Sequence, residues 1–142
     1  MTPEKVRLVQ ESFAQIVPMK DEVTRLLYER LFELDPSLRA LFRGDMDRQR
    51  SRLAVALAMV VHGLKSSAAI VPVLEELGRR HVGYGVKVGH YATVGEAILW
   101  ALGQVLGDRF TPEVREAWTE AYELIASTMI KAQQSSAFVR AA

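Results

Sequence analysis

The spacing of apolar residues is the feature that most constrains how this chain can fold. Apolar side chains recur at intervals of three and four along the sequence, as Val6, Val9 and Phe13 do near its start. Such intervals place side chains on one face of an α-helix, whereas a strand alternates with a period of two. No stretch alternates in that way, and no linker or repeat divides the chain. The sequence therefore predicts a single all-α domain over residues 1–142.

Prolines and capping side chains predict where the helices begin. Thr2-Pro3-Glu4 and Thr111-Pro112-Glu113 each place a capping hydroxyl, a proline and an acid at a helix start. Between these two signals, apolar periodicity predicts four more helices. They cover about residues 21–34, 47–64, 72–83 and 91–105, with a short helical turn from 36 to 42.

Two further boundaries follow from local composition. Pro72 is expected to open its helix, because proline fits a first helical turn and the preceding SSAAIV is interpreted as a connection. At the other end, residues 135–142 are expected to fray, as chain termini often do.

Composition excludes several classes of function. Eighteen basic residues against 17 acidic ones give a net charge of +1, without the basic face that nucleic-acid binding requires. The lack of cysteine excludes disulfides, thiolate catalysis and thioether attachment of a cofactor. No signal-peptide pattern is present, and the longest apolar run, residues 53–61, is far shorter than the roughly 20 residues of a membrane helix. We therefore expect a cytoplasmic protein that binds neither nucleic acid nor a membrane.

Three polar side chains occupy positions where the helical pattern asks for apolar ones: Tyr28, Gln49 and His81. Each alone has an ordinary structural explanation. A core histidine is usually hydrogen-bonded, a buried tyrosine finds a partner for its hydroxyl, and a glutamine in a first helical turn is often exposed. Their coincidence on three different helices is what a functional interpretation has to explain.

Two familiar kinds of site are not supported by the residue pattern. A zinc site needs about four clustered ligands, but His62, His81 and His90 show no H-x-x-x-H spacing and cysteine is absent. A Ser-His-Asp site is not indicated either, because no nucleophile motif such as G-x-S-x-G occurs. His62 and His90 are therefore interpreted as structural or surface residues.

Four segments of the chain carry a family resemblance. In order they are LLYERLFELDPSLRALF, MDRQRSRL, LGRRHVGYGVKVGHYATVGEAIL and EAWTEAYELIA. Together they resemble bacterial single-domain globins related to the flavohaemoglobins and Vitreoscilla haemoglobin. The third segment is the most specific, because it combines a proximal-type histidine with an H-Y-x-x-V-G helix start. The resemblance covers residues 3–133 and implies the globin fold, a 3-over-3 helical sandwich around one haem.

The resemblance implies a role for particular residues. His81 would be the iron ligand of a noncovalently held haem b, with Tyr28 and Gln49 as the distal pair that meets dioxygen. The other implied cofactor contacts are Phe42, Leu53, Tyr91 and Val94, with Arg52 and Arg80 as candidate cations for the haem propionates. No catalytic residue is implied.

The function that the resemblance favours is reversible dioxygen binding with slow release, for storage, delivery or sensing. A hydrogen bond to a charged acceptor contributes roughly 1.5–3 kcal/mol, so two distal donors would slow dioxygen loss by about 10-fold to 10³-fold. The alternative is a nitric oxide dioxygenase, which would depend on a separate reductase because no dinucleotide-binding loop is present. A third alternative is a haem-free globin-fold regulatory module. A monomer or weak homodimer is expected.

One position departs from the flavohaemoglobin pattern. In that family a proximal tyrosine and a glutamate on the last helix form a network that raises electron donation from the histidine to iron. The best-aligned residue here is Gln133, and a glutamine does not carry the charge of that glutamate. The resemblance therefore does not imply peroxidase-like activation.

Overall fold

The fold is built from helices alone in the part of the chain that the structure describes. This computed structural model describes the backbone of residues 1–141 and the side chains of 1–66 and 68–135. The α-helices are α1 (Pro3–Ile16), α2 (Lys20–Leu34), α3 (Met46–Gly63), α4 (Ser67–Gly83), α5 (His90–Leu106) and α6 (Pro112–Ala141). Three short 3₁₀ turns, Val17–Met19, Pro36–Leu41 and Gly107–Arg109, lie between them. The all-α prediction is confirmed.

The two capping signals predicted for the first and last helices act as expected. Thr2 Oγ1 accepts a hydrogen bond from the Lys5 backbone N–H at 3.2 Å, and Thr111 Oγ1 accepts one from the Val114 backbone N–H at 3.2 Å. After α5, Gly107 has a φ of 56°, a left-handed conformation that glycine adopts without steric strain. The two threonine caps each satisfy one of the free backbone N–H groups at the start of their helix.

The prediction that Pro72 opens a helix is wrong. α4 begins at Ser67, so Pro72 lies inside it rather than at its start. Proline has no N–H to donate to the Ala68 carbonyl one turn earlier. Both Ala68 and Pro72 are exposed, so water can hydrogen-bond this carbonyl and the helix continues past the proline. Counting proline as a start signal therefore misplaced the boundary by about one turn.

The last helix, α6, packs along α1 and α4. Its buried side chains include Trp118, Met129 and Gln133. The predicted frayed tail, residues 135–142, begins just beyond these positions. The helical path continues to Ala141 and residue 142 lies outside the described residues, so fraying stays a prediction.

Few contacts join α3 to α4. α4 packs mainly against α6, and α2 mainly against α5, whereas α3 and α4 contact each other little. The buried side chains form two clusters, one that includes Tyr28 and Trp118 and another that includes Val60 of α3 with Leu74 and Tyr91. We call the region between the sparsely packed helices α3 and α4 the α3–α4 cleft.

A close backbone approach holds α4 against α6. Gly78 of α4 is buried and faces Met129 of α6 so closely that a Cβ at position 78 would clash with the Met129 carbonyl oxygen and lie 2.9 Å from its Cα. Only glycine lets the two backbones meet at this distance, so this contact fixes the position of α4 against α6.

Among residues 1–141, no helix combines the length and apolarity needed to cross a bilayer.

Candidate functional site

Tyr28 and Gln49 come from different helices and are hydrogen-bonded to each other. Asp45 caps α3, with its Oδ1 accepting from the Asp47 backbone N–H at 2.9 Å, which places Gln49 in the first turn. From there Gln49 Nε2 donates to the Tyr28 hydroxyl oxygen on α2 at 3.1 Å. The structure thus brings together two of the three polar side chains that the sequence singled out.

The Tyr28 hydroxyl keeps its hydrogen free for another acceptor. Only 6% of Tyr28 is exposed, and burial raises the pKa of its hydroxyl although the Gln49 hydrogen bond opposes the rise. The group is therefore protonated at neutral pH. Its oxygen accepts from Gln49, and no described residue accepts from its O–H. This side of the cleft thus presents an unused buried donor.

Phe42 forms the apolar wall beside Tyr28. It follows the 3₁₀ turn Pro36–Leu41, and its ring meets the Tyr28 ring edge-on at 5.4 Å between centroids and 77° between planes. The Phe32 ring lies 5.6 Å from it. Arg39 braces both phenylalanines, because its guanidinium lies 5.4 Å from the centre of the Phe32 ring and its Nη1 donates to the Phe42 carbonyl at 3.2 Å. Sequence reasoning missed Phe32 and Arg39.

Leu53 and Val94 add apolar surface to the same side. Both are half-buried and pack against the cluster that contains Tyr28. Leu57, one turn after Leu53 on α3, is half-buried in the same way. Large apolar side chains that stay partly uncovered beside a closed core leave a surface that a flat apolar group can cover.

His81 lies in the last turn of α4 with its ring half-buried. Its Nδ1 is 2.5 Å from the Leu77 carbonyl oxygen. A carbonyl only accepts, so Nδ1 carries the hydrogen and Nε2 the lone pair. Burial lowers the pKa of the imidazole, although the Leu77 hydrogen bond opposes this shift. The side chain is therefore a neutral imidazole of defined tautomer.

The lone pair of His81 Nε2 is accessible. No described residue makes a hydrogen bond with this nitrogen. Among the side chains of residues 1–66 and 68–135, no fully buried nitrogen or oxygen lacks a partner, so Nε2 is not sealed inside the protein. A neutral imidazole with its second nitrogen tied to a carbonyl is what a metal-ligating histidine requires.

Two tyrosine rings flank the imidazole. The Tyr84 ring is 5.4 Å from the His81 ring and the Tyr91 ring 6.3 Å from it, measured between centroids. Tyr84 is 59% exposed whereas Tyr91 is buried. Tyr91 is one of the cofactor contacts that the resemblance implies, whereas nothing in the sequence singled out Tyr84.

Tyr91 belongs to a closed hydrogen-bond network. Its hydroxyl donates to Gln133 Oε1 at 2.7 Å, and Gln133 Nε2 donates to the Val86 carbonyl. The Tyr122 hydroxyl donates to the Tyr91 carbonyl at 2.6 Å. Burial raises the pKa values of both tyrosine hydroxyls, so both remain donors at neutral pH. The contact between Tyr91 and Gln133 supports the alignment of the last helix.

The two predicted propionate cations lie in different surroundings. Arg52 is exposed on α3 and lines a shallow hollow of about 370 Å³ with Asp47, Arg48 and Ser51. Arg80 is also exposed, and its Nε lies 3.4 Å from Glu76 Oε1. An anion would therefore meet an exposed Arg52 but would compete with Glu76 for Arg80. The role of both stays a prediction.

Comparison with known proteins identifies the family. The family model described as Globin matches residues 25–129, which is most of the chain. This chain belongs to the globin family. Membership of this family implies that the protein binds haem.

The curated relatives that we compared are flavohemoproteins. One from Rhodopirellula baltica is 33% identical over 133 residues, which cover 92% of this chain and 33% of the relative. Another from Bacillus subtilis is 30% identical over 128 residues, which cover 88% and 32%. This globin therefore spans about a third of the length of the curated relatives it matches.

Solved structures confirm the predicted globin fold. An engineered carbene transferase of Rhodothermus marinus, designated a nitric oxide dioxygenase, superimposes with a TM-score of 0.89 at 26% identity, over 100% of this chain and 99% of that one. A bacterial globin from Campylobacter jejuni superimposes with a TM-score of 0.81 at 23% identity, over 94% and 97%. The second likeness supports the fold alone.

Proposed function

We propose that this globin holds haem b noncovalently in the α3–α4 cleft and binds dioxygen reversibly, with slow release. The observation that carries the proposal is the hydrogen bond between Gln49 and Tyr28, which leaves the Tyr28 O–H free to donate. When bound, haem would supply an iron that can take a protein imidazole and a diatomic ligand. Dioxygen storage, delivery and sensing all require such a site.

The residues of this chain fit a haem. The half-buried apolar side chains Phe42, Leu53 and Val94 offer the surface that a macrocycle would cover. His81 Nε2 offers the accessible lone pair of a neutral imidazole. Because cysteine is absent, attachment would rest on this one bond and on apolar burial. Arg52 and Arg80 would meet the propionates at the rim.

Tyr28 and Gln49 would hold the ligand from the α3 side. A hydrogen-bond donor at this place would stabilise a diatomic ligand that gains partial negative charge on binding. The Tyr28 O–H is unused in the structure, and the buried setting strengthens any hydrogen bond it makes. Gln49 orients that hydroxyl by occupying one of its lone pairs. The pair would therefore retain dioxygen more strongly than carbon monoxide, which gains less charge.

The first experiment measures haem uptake and then the dioxygen off-rate. We expect Tyr28→Phe to raise the off-rate about 10-fold or more and Gln49→Leu to raise it less. Gln15→Leu, an exposed glutamine on α1, is the matched control and should leave the rate unchanged. An off-rate within about twofold in Tyr28→Phe would show that Tyr28 is not the donor. Failure of the parent protein to take up haem would support the haem-free regulatory module instead.

Nitric oxide dioxygenase activity is the second candidate. The likeness to a solved protein designated a nitric oxide dioxygenase, and to flavohemoproteins, favours it. The reaction joins nitric oxide, dioxygen and one electron into nitrate, so turnover needs an electron donor. Nitrate measured against haem, with a chemical reductant supplied, separates the two functions. Slow nitrate formation per haem indicates a ligand carrier, and many rapid turnovers indicate the enzyme.

A further inference from the structure

Tyr84 is the exposed member of the two tyrosines that flank His81. The residue is 59% exposed, and its ring meets the imidazole edge-on, at 5.4 Å between centroids and 60° between planes. This separation and tilt are typical of aromatic rings in direct contact. Tyr84 therefore connects the surface of the protein to the candidate haem ligand through a single ring.

The backbone around Tyr84 leaves its ring accessible to a second molecule. Gly83 precedes it and Gly85 follows it, so neither neighbour in the chain has a side chain that could cover the ring. A Cβ added at position 83 would meet no atom within 4 Å, and one added at position 85 would meet only Leu41 Cδ2, at 3.4 Å. The surroundings of Tyr84 are therefore open enough for another protein surface to approach.

The other tyrosine and tryptophan rings of the chain are covered. The chain has four tyrosines and two tryptophans, and the five besides Tyr84 are buried or half-buried: Tyr28, Tyr91, Trp100, Trp118 and Tyr122. At Trp100 the Arg30 guanidinium lies 5.3 Å from the ring centre, and this cation opposes removal of an electron from the ring. The chain also lacks cysteine, whose thiolate oxidants attack readily. Tyr84 is thus the oxidisable ring that a second molecule can reach.

We propose that Tyr84 is a site of oxidative cross-linking, at which two copies of this chain are joined when the haem-loaded protein reacts with hydrogen peroxide. The inference rests on the proposed role of His81 as the haem ligand. Haem, once bound, would supply the iron at which the peroxide is reduced. Each chain needs to react only once, so the site does not require peroxidase-like activation.

The step balances with hydrogen peroxide as the two-electron oxidant. Each Tyr84 phenol gives up one electron, through the His81 ring that it contacts, and one proton, from its hydroxyl to water. Two of the oxidised rings then join by a bond between their Cε carbons. The hydrogen of each joined carbon moves to the oxygen of its own ring, which restores both hydroxyls. The two electrons and two protons break the O–O bond of the peroxide and yield two molecules of water.

The test treats the haem-loaded protein with hydrogen peroxide and measures covalent dimers by denaturing gel electrophoresis. Visible absorption first establishes haem uptake. The parent should form dimers with dityrosine fluorescence, and mass spectrometry of their peptides should locate the bond at position 84 of both chains. Tyr84→Phe should lose these dimers. Methionine oxidation, which peroxide also causes, gives a sulfoxide and no cross-link.

A matched control separates contact with His81 from exposure alone. Val17 is 45% exposed, on the short 3₁₀ turn whose main contacts are with α1 and α2. The double variant Tyr84→Phe, Val17→Tyr therefore has an exposed tyrosine that does not contact His81. Illumination with ruthenium tris-bipyridine and persulfate, a one-electron oxidant that needs no haem, should cross-link both the haem-free parent and this double variant. Hydrogen peroxide should cross-link only the haem-loaded parent.

Four results would overturn the proposal. Tyr84→Phe still forms the dimers, or peroxide joins the double variant as readily as the parent. Illumination fails to join the haem-free parent, which would show that Tyr84 is not accessible. The haem-loaded parent forms no dimers with peroxide although illumination joins it, in which case the proposed function stands and this inference alone is rejected. Absence of haem uptake would instead reject the proposed function, and this inference with it.

Discussion

The two sides of the α3–α4 cleft use the same residue types, a tyrosine and a glutamine, in opposite ways. On the α3 side, Gln49 donates to Tyr28 and leaves the tyrosine hydrogen without an acceptor among the described residues. On the α4 side, Tyr91 donates to Gln133, which donates to Val86. The first pair is open and the second is closed. An unused donor therefore indicates where a ligand is expected, whereas a completed hydrogen-bond network maintains the positions of its residues.

Removing the imidazole should have the largest effect on haem binding. In His81→Ala we expect haem affinity to fall about 100-fold or more, because apolar burial alone would hold the macrocycle. A haem titration followed by visible absorption measures the change. Added free imidazole should restore the ferrous spectrum in part. Unchanged haem affinity would mean that His81 is not the haem ligand.

The next largest effect should come from the contact that fixes α4 on α6. Gly78→Ala would force a Cβ against the Met129 backbone, so we expect a loss of about 1–3 kcal/mol in the free energy of unfolding. Gly83→Ala is the matched control, since a Cβ there meets nothing within 4 Å. Urea unfolding of both haem-free variants gives the difference. Equal stability of the two would show that α4 can move away from α6.

The comparison between the two tyrosines can be measured directly on the haem-free protein. Tyr91→Phe leaves the buried Gln133 Oε1 without a donor, which should cost about 1–3 kcal/mol of unfolding free energy. Tyr28→Phe removes a hydroxyl whose hydrogen is unused, so its cost should be smaller, about 0.5–1.5 kcal/mol. Dioxygen release should rank the two variants in the reverse order. If both measurements follow the same order, the contrast between an open and a closed side fails.

The smallest effect concerns alkaline pH. Burial raises the pKa of the folded Tyr28 hydroxyl above the unfolded value of about 10. The folded state therefore keeps this proton longer, and stability falls as pH rises from about 10 toward the folded pKa. In the haem-free protein, the free energy of unfolding should fall less steeply between pH 9 and pH 11 in Tyr28→Phe than in the parent. An identical slope would mean that the hydroxyl is not buried in solution.

Spacing and resemblance predicted the main parts of the site because those parts interrupt a regular pattern. Tyr28, Gln49 and His81 are polar residues on apolar helical faces, and such interruptions are visible in one dimension. The family assignment is confirmed, and so is the all-α fold. The contact of Gln133 with Tyr91 also lies where the alignment of the last helix puts it. Roles toward haem and dioxygen stay predictions.

The missed features depend on contacts between segments or on the backbone. Arg39 braces Phe32 and Phe42 only after the 3₁₀ turn has folded against α2. The Val86 carbonyl that fixes the Gln133 amide is a backbone group, so no side-chain pattern encodes it. The start of α4 was predicted wrongly from Pro72 for a different reason. Its local preference for a helix start was outweighed by exposure, which lets the helix accommodate it in a later turn.

The position of Gln49 in a first helical turn has a consequence for heat sensitivity. Terminal turns open and close far more readily than helix interiors, and the turn that carries Gln49 is closed by the Asp45 cap. Each opening would withdraw the amide that orients Tyr28 and shorten the residence of a bound gas molecule. A carboxylate four residues before Gln49 would thereby set how steeply gas escape accelerates on warming.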